Sequence, residues 1–274
     1  GAKSKKHEHF IGVLLDYGER ESESLKELPR SVRVTAKQGD QGSIVSRVGF
    51  IGAGNFAQGF LIPHIERSRS TLLVSVCNGN GLNATNAART FGFENATSDP
   101  SEIIGNESIN TVFIATRHNL HASLTIDALR AGKKVFVEKP LALTAGELKE
   151  IQKAYEFASA NGKDPLLMVG FNRRFAPQVQ HAKRFFENAV GPYVMQYRVN
   201  AGFVPRTHWT RDPVEGGGRV LGEVCHFIDL MQYITSSQPA KVFAEALSAA
   251  SGGTADDDSV VITVKFVDGS VGTI

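Results

Sequence analysis

Val48-Gly49-Phe50-Ile51-Gly52-Ala53-Gly54-Asn55-Phe56-Ala57 is the stretch that decides the fold. Its apolar start reads as a buried strand, and the glycines after it mark a tight turn into a helix. Gly52 permits the turn, Gly54 lets backbone approach a pyrophosphate, and Ala57 allows the helix to pack closely on the strand. A helix opening near Asn55 and Phe56 would present free N–H groups and the positive end of its dipole to phosphate oxygens. Taken alone, the motif also describes a strand–helix turn that holds nothing. Its weight comes from its position at the head of an alternating series.

Working outward, strand and helix signals alternate as far as residue 170. Strands are expected at Leu72–Cys77, Thr111–Ala115, Lys134–Val137 and Leu166–Val169. Pro63 removes a backbone donor and is expected to end or kink the helix that follows the glycines. Asp99-Pro100-Ser101-Glu102 has the cap, proline and acid of a helix start. Leu120, Leu124, Ala128 and Ala131 fall on one helical face, and Gly132 suits its stop. Thr144-Ala-Gly-Glu147 matches a capping box for a helix running to about Ala160. Short strands alternating with helices mean an α/β, doubly wound parallel sheet. Right-handed crossovers bring every strand's carboxyl end to one edge. That edge collects Gly52–Gly54, Asn78, Thr116–His121 and Glu138–Pro140.

After Gly170 the pattern changes. A helix over about Pro177–Asn188 precedes strand-like runs at Tyr193–Val204, Ala240–Leu247 and Val260–Val267, with a hairpin signal at Asp268-Gly269. The expected organisation has three parts. Residues 1–45 form an extension, a linker or the remnant of an upstream domain, with an isolated strand at Phe10–Leu15. Residues 46–170 form the dinucleotide-binding domain. Residues 171–274 form an α+β domain on an open, mostly antiparallel sheet that stops within its last strand.

The chemistry gathers at a few places. An acid about 20 residues beyond the glycines normally meets the ribose 2′-hydroxyl. Here Asn78 ends the second strand; it can hydrogen-bond a hydroxyl, or it can simply hold the turn. It lacks the charge that repels a 2′-phosphate, and no arginine stands beside it. NAD and NADP both remain open, with a lean to NAD. Glu138-Lys139-Pro140 delivers an amine to the sheet edge, where Lys139 can serve as an acid or base. Gly216-Gly-Gly218 precedes Glu223, His226 and Asp229, which at a spacing of three share a helical face. His226 is then an acid–base candidate that Glu223 orients, or a core histidine; Asp229 reads as structural. Thr116, His118, Asn119 and His121 offer contacts to the nicotinamide half, with helix capping as the alternative for Asn119. Asn172, Arg173 and Trp209 are substrate candidates at the junction of the two domains, or packing residues there.

Composition narrows the class. The 274 residues carry a formal net charge of +2 and are 42% hydrophobic. Neither nucleic acid nor an anionic membrane is indicated, and no run approaches the roughly 18 apolar residues of a membrane span. Two cysteines, Cys77 and Cys225, give neither a disulfide framework nor a metal-ligand spacing. Cytoplasmic is the expected location.

From about Ser46 onward the chain resembles the glucose–fructose oxidoreductase/inositol dehydrogenase (Gfo/Idh/MocA) family. The resemblance rests on Gly52-x-Gly54 followed by Pro63, on Thr116 to His121, on Ala131-Gly-Lys-Lys-Val-Phe-Val-Glu-Lys-Pro140, and on Gly216-Gly-Gly through His226 and Asp229. It implies a Rossmann domain with bound NAD(P), hydride transfer at a carbinol carbon of a sugar, nucleotide sugar or polyol, and homo-oligomers formed through the C-terminal sheet. It also implies that Lys139 and His226 are the catalytic pair. The family often has an aspartate four residues before that histidine. Gly222 stands there, with Glu223 beside it as the candidate substitute. Arg117 stands where the family often has proline. Two alternatives are an NAD-dependent glycoside hydrolase of the same fold and a non-catalytic dinucleotide-binding module. Some relatives are fused behind a zinc alcohol-dehydrogenase-like domain, and the chain reads as a fragment of such a fusion.

Overall fold

The computed structural model describes residues 30–34, 46–247 and 259–274; the run Phe10–Leu15, expected as a strand, lies outside the described residues. Seven strands make the first sheet: β1 (Ser31–Arg33), β2 (Ser46–Ile51), β3 (Thr71–Cys77), β4 (Asn95–Thr97), β5 (Thr111–Ile114), β6 (Lys134–Val137) and β7 (Leu167–Val169). Their order is β1-β4-β3-β2-β5-β6-β7. Every neighbouring pair is parallel except β1 with β4. From β2 the chain builds outward through β3 and β4, returns to β5 on the other side of β2, and builds outward again through β6 and β7. The order therefore reverses between β2 and β5, where open α/β sheets bind ligands.

Strand periodicity divides the core between the two faces of the sheet. Val48 and Phe50 point to one face with Leu73, Val76, Ala88 and Phe93. Ile51 points to the other with Val112, Ile114, Val137, Leu129 and Ile151. Helix α2 (Gly81–Phe91) covers the first face; α4 (His121–Arg130) and α5 (Ala145–Ala160) cover the second. The short α3 (Pro100–Ile104) is capped by the Asp99 side chain, which accepts from the Ser101 N–H. In the capping box of α5, Glu147 N–H donates to Thr144 Oγ1 at 3.1 Å and Thr144 N–H to Glu147 Oε2 at 2.9 Å.

One expectation for this half needs correcting. Pro63 does not end its helix, which runs from Asn55 to Glu66. A π turn at Ala57–Leu61 precedes the α-helical part, α1 (Ile62–Glu66), and Pro63 occupies its first turn. Because the helix is continuous from Asn55, the N–H that Pro63 lacks leaves a carbonyl of the preceding turn without its helical donor, and the wider π turn lies at that point. In the segment before residue 46, expected as an extension, a linker or the remnant of an upstream domain, β1 adds an antiparallel edge strand to β4, and Arg30 pairs with Asp99 at 2.9 Å.

The second unit begins with α6 (Pro177–Phe185), shorter than expected, and β8 (Val194–Gln196). Its sheet runs β8-β11-β10-β9, with β9 (Pro239–Ala246), β10 (Val260–Phe266) and β11 (Val271–Thr273). The pairing of β8 with β11 is parallel and the others are antiparallel. Of the strand expected across Tyr193–Val204, Val194–Gln196 pairs, opposite Val271–Thr273 of β11. Helix α7 (Cys225–Thr235) packs Met231 onto Ile262, Val264 and Phe266. Gly272 makes room for that contact, since a Cβ there would lie 2.3 Å from the Met231 sulfur. The other face carries exposed Phe243 and Val261. Among the described residues no helix is long and apolar enough to cross a membrane.

Candidate active site

At the reversal point the glycine turn is locked by backbone. Gly52 N–H donates to Cys77 O at 2.9 Å, and Gly54 N–H to Gly52 O at 2.9 Å. Gly52 has φ +98°, and a Cβ there would lie 2.6 Å from the Ala115 carbonyl carbon. β2 and β5 thus cross too closely for any side chain. At Gly54 a Cβ would meet no protein atom within 4 Å, so the backbone is bare on that side.

A cavity of about 970 Å³ opens along the carboxyl ends of β4, β3, β2, β5 and β6. Gly52, Gly54, Asn55, Phe56 and Ala57 line it from the glycine turn, and Thr116, His118 and His121 from the end of β5. Asn78 lies toward the β3 and β4 side with Ser98 and Pro100. Glu138 and Lys139 lie at β6, where the second unit contributes Asn172, Trp209 and His226.

Asn78 holds the turn. Its Nδ2 donates to Ala53 O at 3.1 Å and its Oδ1 accepts from Asn80 N–H at 3.1 Å. One N–H and one lone pair remain for a ribose hydroxyl. Among the described residues no carboxylate and no arginine line this side. Arg117, the arginine on the wall, is ion-paired with Glu215 and lies over the Trp209 ring.

At the opposite side Lys139 Nζ donates to Gly222 O at 2.9 Å, one turn before His226. The two groups therefore share a wall although they come from different units. His226 is buried, and burial pushes its imidazole down to about 4, with the Lys139 and Arg173 charges adding to the effect. Its Nδ1 is buried without a hydrogen-bond partner among the described residues. Such an orphan costs about 1–3 kcal/mol. Burial raises the Glu138 carboxyl above the usual carboxylate range, against the pull of the Lys139 N–H and charge.

Glu223, Arg173 and Asn119, expected here, fall elsewhere, and Asp229 has the structural role expected of it. Glu223 turns to a second cavity, with Tyr197 and Arg198. The reason is a π turn at Val220–Val224 ahead of α7. A π turn is wider than an α turn, so residues three apart across it no longer stack. Asp229 accepts two hydrogen bonds from Arg174, which ties α7 to the turn after β7. Arg173 lies beside the cavity, over the Phe227 ring at 4.7 Å, in an adjoining opening that shares Asn172 and His226. Asn119 is outside the lining; its N–H donates to Glu215 O at 3.1 Å.

The histidines at β5 brace the wall. His121 is fully buried, with Nδ1 at 2.7 Å from Pro140 O and Nε2 at 3.2 Å from Thr116 O. His118 Nδ1 donates to Gly216 O at 2.7 Å, and its ring stands edge-on to Trp209. Burial holds His118 down to about 4. Sequence reasoning missed the part played by Gly222, which acts through its carbonyl and its lack of a side chain. No residue-type signal marks such a role.

Two imidazoles held near 4 against an ordinary value of 6.5 fix a pH dependence. Their folded-state values lie below the unfolded value, so between about pH 6.5 and pH 4 the unfolded chain binds more protons. Their contribution to stability is complete above pH 6.5 and is lost as the pH falls toward 4, by up to about 3 kcal/mol per group. Urea unfolding across this range is expected to show the decline, and His226→Asn to reduce its slope. An unchanged slope in that variant counts against a buried neutral His226.

The donors and space in this cavity fit a dinucleotide. The bare backbone at Gly54 leaves approach for phosphates, and the orphaned His226 Nδ1 awaits a polar partner. The comparisons point the same way. Residues 46–171 match the oxidoreductase family with an NAD-binding Rossmann fold (GFO/IDH/MocA), and residues 188–274 match the C-terminal domain of that family. The chain is 32% identical over 232 residues to levoglucosan dehydrogenase of Pseudarthrobacter phenanthrenivorans, covering 73% of this chain and 57% of that protein. It is 27% identical over 233 residues to myo-inositol 2-dehydrogenase of Thermotoga maritima, covering 83% of this chain and 67% of that protein. A solved levoglucosan dehydrogenase in complex with NADH and levoglucosan superposes with a TM-score of 0.67 at 31% identity, over 83% of this chain and 65% of that one. The chain thus spans between about half and two thirds of the length of these relatives.

Proposed function

The chain belongs to the GFO/IDH/MocA oxidoreductase family, and from that premise we propose that it is an NAD(P)-dependent dehydrogenase acting at a carbinol carbon of a sugar or polyol. The observation that carries the reading is the shared wall of Lys139 and His226 on a cavity that begins at the glycine turn. Bound along the strand ends, a nicotinamide dinucleotide supplies a hydride acceptor or donor. Backbone at Gly54, Asn55 and Phe56 holds its phosphates, and Asn78 meets the ribose. The Lys139 ammonium donates a hydrogen bond to the substrate hydroxyl oxygen. His226, neutral at physiological pH, would take the hydroxyl proton. Trp209 walls the substrate, and Asn172 adds a polar contact beside His226. The lean to NAD rests on Asn78, whose side of the cavity holds no cationic clamp among the described residues.

The test is incubation of the chain with NAD or NADP and a panel of myo-inositol, levoglucosan and related polyols. Net accumulation of reduced nicotinamide supports the reading. Sugar release without net reduction points to the glycoside hydrolase, and coenzyme binding without turnover across the panel points to a non-catalytic module.

The second part of the proposal is a homo-oligomer formed through the C-terminal sheet. Phe243 and Val261 lie exposed on the face away from α7, with Val242 and Val267 also exposed on or beside the same strands. Sedimentation equilibrium is expected to give a multiple of 29.6 kDa. A Phe243→Lys variant is expected to lower that mass, and a monomeric wild type rejects the interface.

A further inference from the structure

A pocket for a polyhydroxylated ligand needs acceptors as well as donors. Near Lys139, His118 provides an acceptor whose identity the geometry fixes. Its Nδ1 lies 2.7 Å from the Gly216 carbonyl. A carbonyl only accepts, so Nδ1 carries the proton and Nε2 keeps a lone pair. Nε2 has no partner among the described residues, and the ring lines the cavity. The ring also fills the space beside Gly222, where a Cβ would come within 3.3 Å of His118 Cε1. Gly222 is the residue whose carbonyl holds Lys139 Nζ. His118 and Lys139 thus meet around one glycine, the first with a fixed acceptor and the second with donors.

The setting is rigid. Trp209 stands edge-on to His118 with ring centroids 4.8 Å apart. Asn119 N–H donates to Glu215 O, and Arg117 pairs with the Glu215 carboxylate. The short turn carrying His118 is therefore fastened to the loop that carries Trp209 and Gly216.

We infer that His118 is a specificity residue: Nε2 accepts a hydrogen bond from a second hydroxyl of the substrate, beside the hydroxyl that meets Lys139, so that the site selects vicinal diols. This rests on the dehydrogenase reading for the class of ligand, while the acceptor itself rests on the geometry alone.

Two variants separate the atoms. His118→Asn places an amide N–H near Nδ1, keeping the Gly216 link, and removes Nε2. His118→Gln reaches toward the Nε2 position and keeps an acceptor there. The measurements are the dissociation constant of NADH from the protein, followed by fluorescence, and those of myo-inositol, levoglucosan and their single-deoxy analogues from the NADH-loaded protein. His118→Asn is expected to weaken the better-bound parent polyol about tenfold while leaving NADH within about twofold. The analogue lacking the recognised hydroxyl is expected to bind wild type and His118→Asn alike, and His118→Gln to recover part of the parent's affinity. An equal loss for every analogue, which a structural role would produce, overturns the inference. So does a loss confined to NADH, or no loss at all. If wild type binds a polyol without oxidising it, the dehydrogenase reading fails and His118 is still judged by these constants. If wild type binds no polyol, both fall.

Discussion

Replacing Lys139 by methionine is expected to lower turnover by about 10²- to 10⁴-fold, the range that a positioned acid or base contributes. Methionine keeps the apolar stem that packs on the wall, so the loss reports the ammonium rather than the packing. The ammonium is the group held at 2.9 Å by Gly222 O, on the wall it shares with His226. NADH affinity, measured separately, is expected to change much less than the rate constant. Lys139→Arg is not expected to rescue activity, because a planar fork cannot occupy the site of a compact point charge. A rate constant within about threefold of wild type would remove Lys139 from the chemistry.

The second large effect is expected at Gly52. An added Cβ would lie 2.6 Å from both the carbonyl carbon and oxygen of Ala115, and 2.7 Å from Thr116 N. These are backbone atoms of the adjacent strand end and cannot rotate aside. The φ of +98° adds strain for any L side chain. Left-handed backbone costs roughly 1–2 kcal/mol and overpacking roughly 1–3. Gly52→Ala is thus expected to lose about 3 kcal/mol and about 6–12 °C in Tm. Gly54→Ala is the contrast. Its Cβ meets no protein atom within 4 Å, so stability should stay within about 0.5 kcal/mol while dinucleotide affinity falls. Thermal unfolding with and without NADH separates the two. If Gly54→Ala keeps its affinity, phosphates do not approach that backbone.

Five of the six parallel strands were legible because each is a short apolar run bounded by a turn or cap; β4, Asn95-Ala96-Thr97, was missed because it is three residues long with polar ends. Asp99, Thr144 and Gly132 each mark a helix end by a local hydrogen bond or a backbone conformation that needs no distant partner. The edge strand at Ser31–Arg33 was missed because its pairing with β4 is long-range and its residues are all exposed.

At the site, Lys139 and His226 were legible as residue types at the ends of recognisable elements. Glu223 was misjudged because a regular helix was assumed where a π turn intervenes. Asn78 was read correctly as a polar residue at the end of β3, yet most of its amide serves the turn. The use of Gly222 as a hydrogen-bond acceptor left no trace in the sequence, since every residue carries a carbonyl.

The π turn at Val220–Val224 makes the aim of the imidazole a matter of counting. A helix advances about 100° per residue, so one residue more or fewer between the glycine run and His226 would swing that ring by more than a quarter of a circle. Lineages sharing this architecture can then lengthen or shorten the loop before Gly216 freely, but the interval from Gly218 to His226 is bound by rotational phase. Natural variation should therefore spare its length even where it rewrites its letters.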